Sequence, residues 1–107
     1  RTRPVGAADE HLGLETIPKD AVVIDLRSRA VYEAWHAPGA LHLEFFDALR
    51  SYESFARDRT FVLYCEVGQK SAHLAELMRR AGLHAYHVQG GLRTLQRHLH
   101  EDELVIP

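Results

Sequence analysis

Apolar residues fall into short runs that alternate with segments of helical spacing. The runs AVVIDL (21–26), TFVLYC (60–65) and HAYHV (84–88) have the length and the β-branched or aromatic content of buried strands. A shorter strand is predicted at 41–43. Continuous apolar runs, rather than strict alternation, are typical of strands covered on both faces, so these strands are predicted to pair in parallel.

Helices are predicted between and after the strands. Ser28 is expected to cap a short helix that ends before the Pro-Gly turn at 36–40. Residues 44–56 and 71–81 carry apolar residues on one helical face. A last helix is predicted after the glycine pair at 90–91, and the final residues are read as a short strand or a tail.

Strands that alternate with helices predict a three-layer α/β fold, with a central, mostly parallel sheet flanked by helices on both faces. Residues 1–13 are polar and contain proline and glycine, so they are predicted to be a linker or flexible arm. Residues 14–107 are predicted to form a single domain. The chain opens without Met, as a fragment of a longer protein would.

Composition narrows the classes of function. The chain has 107 residues, of which 46% are hydrophobic and 26% charged, as in one ordinary globular domain. Its net charge is −2 with scattered Lys and Arg, so direct binding to nucleic acid is not expected. No apolar stretch reaches the roughly 20 residues of a membrane span. The eight histidines lack zinc-ligand spacing, and neither a metal nor a cofactor is predicted. A single cysteine fits a reducing, cytoplasmic location.

That cysteine, Cys65, is the last residue of a predicted strand, at the edge of the sheet where parallel folds bind ligands. In the segment CEVGQKS (65–71), here called the cysteine loop, Gly68 permits a positive φ. Loop amides, the start of the next helix and Lys70 surround the sulfur with positive charge, which favours a thiolate or persulfide. Cys65 is therefore predicted to be an activated nucleophile. Glu66 would oppose this effect, and we expect it to point outward. The alternative is a buried cysteine that only fills space.

Three segments, taken together, resemble the rhodanese-homology family. The cysteine loop resembles that family's active-site pattern Cys-x-x-Gly-x-Arg-Ser. The segment VVIDLRSRAVYEAWHAPGALHL (22–43) resembles its first signature, and VQGGLRTL (88–95) resembles its second. The matching positions of the first signature are Asp25, Arg27, Tyr32, His36, Pro38, Gly39 and Ala40.

The resemblance implies sulfur transfer, with Cys65 as nucleophile and persulfide carrier. It places the outer sulfur among the backbone amides of Glu66, Val67, Gly68, Gln69, Lys70 and Ser71. Asp25, Arg27 and His36 are expected to support the neighbouring loops, as an ion pair or through hydrogen bonds. The expected donor is a small thiosulfate-like molecule or a cysteine desulfurase persulfide, and the expected acceptor is a thiol or a protein.

The segment CEVGQKSAHLAELMRRAGL (65–83) is similar to the C-terminal rhodanese domain of the tRNA 4-thiouridine and thiamine-thiazole sulfurtransferases. That similarity implies a role in tRNA thiolation or in thiazole synthesis for thiamine. The chain also departs from the family pattern. Lys70 replaces the usual Arg, so the loop has a point charge without a planar fork. Trp35 and Ala37 replace the usual Gly and Ile.

Two other functions stay open at this point. A rhodanese-like domain can be a catalytically idle interaction or regulatory module, although such modules usually lack the cysteine. A cysteine phosphatase would have Arg at the sixth position after the cysteine, where this chain has Ser71.

Overall fold

The computed structural model describes residues 20–88, which contain one parallel sheet of four strands. The strands are β1 (Val22–Asp25), β2 (Leu41–His42), β3 (Thr60–Tyr64) and β4 (His84–His87). Their order across the sheet is β2-β1-β3-β4, and every neighbouring pair is parallel. The predicted strands are therefore confirmed, with ends that differ by one residue. Cys65, predicted as the last strand residue, lies just beyond β3 in the loop.

Helix α1 (Arg29–Ala34) begins after Ser28, whose side chain accepts a hydrogen bond from the amide of Val31 at 3.5 Å. The predicted cap is thus present. Helix α3 (Gln69–Arg80) starts two residues before the predicted position. Gly68, with a φ of 100°, is its N-cap residue, so the helix begins directly after it.

Helix α2 is shorter than the helix predicted for 44–56. It spans Phe45–Ser51 and continues as a 3₁₀ turn at Tyr52–Ser54. The Ser51 hydroxyl donates to the carbonyl of Asp47, and the Ser54 hydroxyl donates to the carbonyl of Ser51. Serines that bond to the backbone in this way compete with regular helix geometry, and this accounts for the early end.

The sheet separates two apolar clusters, because successive strand residues point to opposite faces. On one face, Ile24 and Leu63 pack in a cluster that also holds Ala48 of α2 and Leu74 and Met78 of α3. On the other face, the cluster contains the following residues: Val62, Tyr64, Val88, Ala37 and Ala40, with Tyr32 of α1 packed against it. Helical segments thus cover both faces, and the predicted three-layer α/β fold is confirmed.

Several predictions fall outside the described residues. These are the arm at 1–13, the limits of the domain at 14–107, the last helix and the C-terminal segment. Within residues 20–88, no helix has the length and apolar character needed to cross a bilayer.

Candidate active site

Cys65 lies where the loops that follow β1 and β3 run side by side. The amide of Leu26 donates to the carbonyl of Tyr64 at 3.0 Å, so the sheet pairing continues to the point where both chains leave it. Parallel strands bring their carboxyl ends to one edge of the sheet, and ligands bind in the crevice outside that edge. The cysteine loop and the loop after β1 therefore meet at the place where this fold positions a site.

Backbone amides of the cysteine loop converge on the sulfur. The amide of Gly68 donates to Cys65 Sγ at 3.2 Å, and the amide of Ser71 donates to it at 3.3 Å. This turn needs the φ of 100° at Gly68, which a side chain would strain. Gly68 is the N-cap residue of α3, and its own side chain cannot cap. The sulfur takes the place of that cap, because it accepts from the third residue of the helix.

The Ser71 hydroxyl also contacts the sulfur. Ser71 Oγ lies 3.4 Å from Cys65 Sγ and 3.3 Å from the carbonyl oxygen of Gly68, and the side chain is fully buried. A hydroxyl has one proton to donate. With a thiol, that proton goes to the carbonyl and the S–H donates to Oγ. With a thiolate, the hydroxyl can turn and donate to the sulfur, so Ser71 can serve both protonation states.

A cavity of about 390 Å³ opens beside the cysteine. It is lined by residues 26–28 after β1, by residues 44–46 at the start of α2 and by most of the cysteine loop. Cys65 is only 5% exposed, but it contributes to the cavity wall and is not sealed in the core. Lys70 and Glu66 are exposed and line the same cavity. The structure thus brings the predicted nucleophile and the predicted cation to one site, with the exposed residue Glu66 at the same cavity.

Asp25, the last residue of β1, and Arg27, two residues further on, form a buried ion pair. Arg27 Nη2 donates to Asp25 Oδ2 at 2.7 Å, and Arg27 Nε donates to Asp25 Oδ1 at 2.9 Å. Arg27 Nη2 also donates to the carbonyl of Trp35 at 2.6 Å. The pair therefore joins the end of β1 to the end of α1, and Arg27 also contributes to the cavity wall.

Tyr64 extends this network to the strand that carries the cysteine. Its hydroxyl donates to Asp25 Oδ2 at 2.6 Å and accepts from the amide of Ala37 at 3.0 Å. Burial raises the pKa of Asp25, but hydrogen bonds from Arg27 and Tyr64 outweigh it and hold the pKa below its usual value. Burial and then the hydrogen bond to Asp25 raise the pKa of Tyr64, so the phenol stays protonated. Asp25 is thus the anion of the network.

His36 lies away from the cavity and contacts Tyr32 of α1. Its ring stacks on Tyr32 with centroids 3.7 Å apart, and its Nδ1 lies 2.7 Å from the carbonyl oxygen of Tyr32. It is not among the residues that line the cavity. Among residues 20–88, no three side chains of His, Cys, Asp or Glu cluster as metal ligands.

Sequence reasoning missed Tyr64, Phe45 and Phe46. The signal for Tyr64 was a hydroxyl-bearing residue inside a buried strand, where a partner is required. Phe45 and Phe46 were read only as part of a helix, although they form a wall of the cavity. The sequence spacing of Phe45 and Phe46 does not indicate that they line the cavity, because this depends on where α2 packs.

The comparisons with known proteins agree with this geometry. Residues 9–98 match the rhodanese-like domain family, and the chain belongs to that family. A crystal structure of a rhodanese-related protein from Thermoplasma volcanium superimposes with a TM-score of 0.66 at 22% identity. The match covers 78% of this chain and 80% of that one, and it supports the fold.

Curated relatives carry the name of an enzyme class. The tRNA sulfurtransferase of Thermoplasma acidophilum is 41% identical over 88 residues, which make up 82% of this chain but 17% of that protein. The thiosulfate sulfurtransferase GlpE of Coxiella burnetii is 28% identical over 75% of this chain and 76% of its own length. Both relatives are named as sulfurtransferases, and the chain spans about one sixth of the length of its tRNA sulfurtransferase relative.

Proposed function

We propose that this domain transfers a sulfane sulfur by carrying it on Cys65 as a persulfide. The observation that carries the proposal is the convergence of the Gly68 and Ser71 amides on Cys65 Sγ, at 3.2 and 3.3 Å, beside an open cavity. N–H dipoles arranged in this way favour an anion. The thiolate and the terminal sulfur of a persulfide are both anions, so one loop stabilises both states of the cycle.

The transfer has two halves, which both conserve electrons. In the first, the Cys65 thiolate attacks the outer sulfur of a donor such as thiosulfate. A bond forms from Cys65 to that sulfur while the donor's S–S bond breaks, and sulfite leaves with the electron pair. In the second, an acceptor thiolate attacks the outer sulfur, the bond to Cys65 breaks, and the acceptor leaves as a persulfide. The Cys65 thiolate is regenerated without an external oxidant or reductant.

The outer sulfur needs its own stabilisation. Gln69 and Lys70 are the first two residues of α3, and helix geometry gives their amides no acceptor within the helix. These amides and the Lys70 ammonium can therefore stabilise the second sulfur after it binds to Cys65. Asp25 and Arg27 fix the loops around the site, and Arg27 also lines the cavity.

The chain corresponds to 17% of the length of its tRNA sulfurtransferase relative, and its physiological role is proposed from that likeness. We propose that the domain receives sulfur from the persulfide of a cysteine desulfurase and passes it on for tRNA thiolation. Thiazole synthesis for thiamine is the second destination. The sequence contains one cysteine, so any second thiol that releases the sulfur has to come from elsewhere. A cytoplasmic location fits this role, because a carrier thiol needs reducing surroundings.

Intact-mass spectrometry tests the proposal. The protein is incubated with thiosulfate, 3-mercaptopyruvate, or a cysteine desulfurase with cysteine. A gain of ~32 Da, reversed by a thiol and absent in Cys65→Ser, is expected for a persulfide. No gain with any donor would indicate an idle interaction module. Turnover of an aryl phosphate without a gain in mass would indicate a phosphatase.

A further inference from the structure

The Lys70 ammonium of the cysteine loop contacts aromatic rings. Lys70 Nζ lies 5.7 Å from the ring centroid of Phe45 and 6.0 Å from that of Phe46. The two rings pack edge to face, with centroids 5.2 Å apart and planes at 72°. A cation within about 6 Å of a ring centroid is attracted by the ring quadrupole. The ammonium therefore has two aromatic neighbours in a fixed mutual orientation.

The fold places these rings against the site. The amide of Phe45 donates to the carbonyl of Leu26 at 3.0 Å, which ties the start of α2 to the chain just after β1. Phe45 is partly buried and packs against the apolar cluster that includes Cys65. Phe46 is 61% exposed, so core packing does not explain its position. Both rings line the cavity that also holds Cys65 and Lys70.

Carboxylates beside the cavity offer the ammonium another partner. Glu44 and Glu66 both line the cavity. Among residues 20–88, however, Lys70 forms no salt bridge with either of them. A lysine has a flexible four-carbon stem and a point charge, so its direction must come from its surroundings. The two rings near the ammonium are uncharged, so they leave its charge unneutralised.

We propose that Phe45 and Phe46 are positioning residues that hold the Lys70 ammonium over the cavity and thereby set the affinity of the site for anionic sulfur donors. The inference deepens the proposed sulfur transfer and rests on it for the identity of the donor. In the usual family pattern, an arginine at this position has a planar, rigid guanidinium. Here the two rings restrict where the flexible Lys70 ammonium can lie. A small dianion such as thiosulfate then binds against a fixed charge.

Phe46→Leu tests the inference, because the residue is exposed and Leu keeps an apolar side chain without a ring. The rates of Cys65 alkylation by iodoacetate, an anion, and by iodoacetamide, which is neutral, are measured at one pH. The ratio of the two rates reports the positive charge over the cavity and requires no sulfur transfer. We expect Phe46→Leu to lower the ratio about two- to five-fold, as expected for the loss of an exposed cation–π contact. Phe46→Tyr should keep the wild-type ratio.

The same substitution is then made in a Lys70→Met background. If the ring acts through the ammonium, Phe46→Leu changes the ratio there by less than it does in the wild type, ideally not at all. For thiosulfate, KM should rise in Phe46→Leu by the factor seen in the ratio, with kcat unchanged. Leu41→Ala is the matched control, because Leu41 is 58% exposed, much like Phe46, but does not line this cavity, and it should keep the wild-type ratio.

Three results would overturn the inference. These are an unchanged ratio in Phe46→Leu, an equal change in the Lys70→Met background, and an unchanged ratio in Lys70→Met itself. A failure of the proposed function would give a different result from a failure of this inference. The wild-type protein would take up no sulfur, while Phe46→Leu would still change the ratio of the two alkylation rates.

Discussion

The hydroxyl of Tyr64 donates a 2.6 Å hydrogen bond to Asp25 Oδ2, across 39 residues of sequence and one residue before the cysteine. Tyr64 and Cys65 are neighbours in the chain, yet they belong to the clusters on opposite faces of the sheet. The polar network on one face therefore fixes the point from which the cysteine loop leaves on the other. The position of Cys65 therefore depends on hydrogen bonds of Tyr64 in which Cys65 itself takes no part.

Tyr64→Phe should lower the free energy of unfolding by about 1–3 kcal/mol, because it leaves the buried Asp25 and the amide of Ala37 without this hydroxyl. Urea denaturation measures the loss. Tyr32→Phe is the comparison, since it removes one partly buried hydrogen bond to the carbonyl of Ala40. Equal losses in the two variants would show that the Tyr64 network has no special weight.

Asp25→Asn should make stability depend less on acid pH. The folded state holds the pKa of Asp25 below its usual value, so the carboxylate adds stability above the unfolded pKa of about 3.9. That contribution is lost as the pH falls from about 5 and through the folded pKa. In the variant this part of the acid loss is absent.

At pH 7 the same variant should be less stable by about 3–5 kcal/mol, because the buried Arg27 loses its charged partner. Urea denaturation at pH 7, 5 and 3 measures both effects. Asp47→Asn is the control, since its carboxylate is exposed and pairs with Arg50 on the surface. It should keep the wild-type dependence on pH. If Asp25→Asn lost as much stability between pH 7 and pH 3 as the wild type does, Asp25 would not be the buried anion of the network.

Gly68→Ala should lower both stability and activity. The φ of 100° at this position costs a residue with a side chain about 1–2 kcal/mol, and any relaxation moves the amides away from Cys65 Sγ. Gly39→Ala is a matched control with a φ of 80° and no atom within 4 Å of the added Cβ. It should lose similar stability in urea while it keeps the wild-type rate of persulfide formation. Equal loss of activity in both variants would mean that stability alone limits the reaction.

Lys70→Glu should slow alkylation of Cys65 by iodoacetamide near neutral pH, because a negative charge replaces a positive one beside the cavity. Arg80→Glu is the control, since it makes the same change in net charge near the other end of α3, roughly 15 Å away by helix rise. It should leave the rate unchanged. Equal slowing in both variants would show that the effect reflects net charge and not the position of Lys70.

Local features of the chain predicted the strands, the helix after the cysteine loop and the glycine with positive φ. These features depend on residues near one another in sequence, so periodicity and turn chemistry reveal them. The end of α2 was predicted less well, because Ser51 and Ser54 bond to the backbone and a helical pattern does not record this. A buried ion pair was one of the expectations for Asp25 and Arg27. In the structure, both residues are buried and joined by two parallel hydrogen bonds.

The sequence alone determined the three-layer parallel fold, the family and the loop around Cys65, because strand runs, turn residues and short motifs are local properties. Only the tertiary structure decided that Tyr64 meets Asp25 and that Phe45 and Phe46 meet Lys70. The first contact follows from the register of β1 against β3, and the second follows from the hydrogen bond that ties α2 to the end of β1. A hydrophobic pattern states which face of an element is buried, but it does not state which partner covers that face.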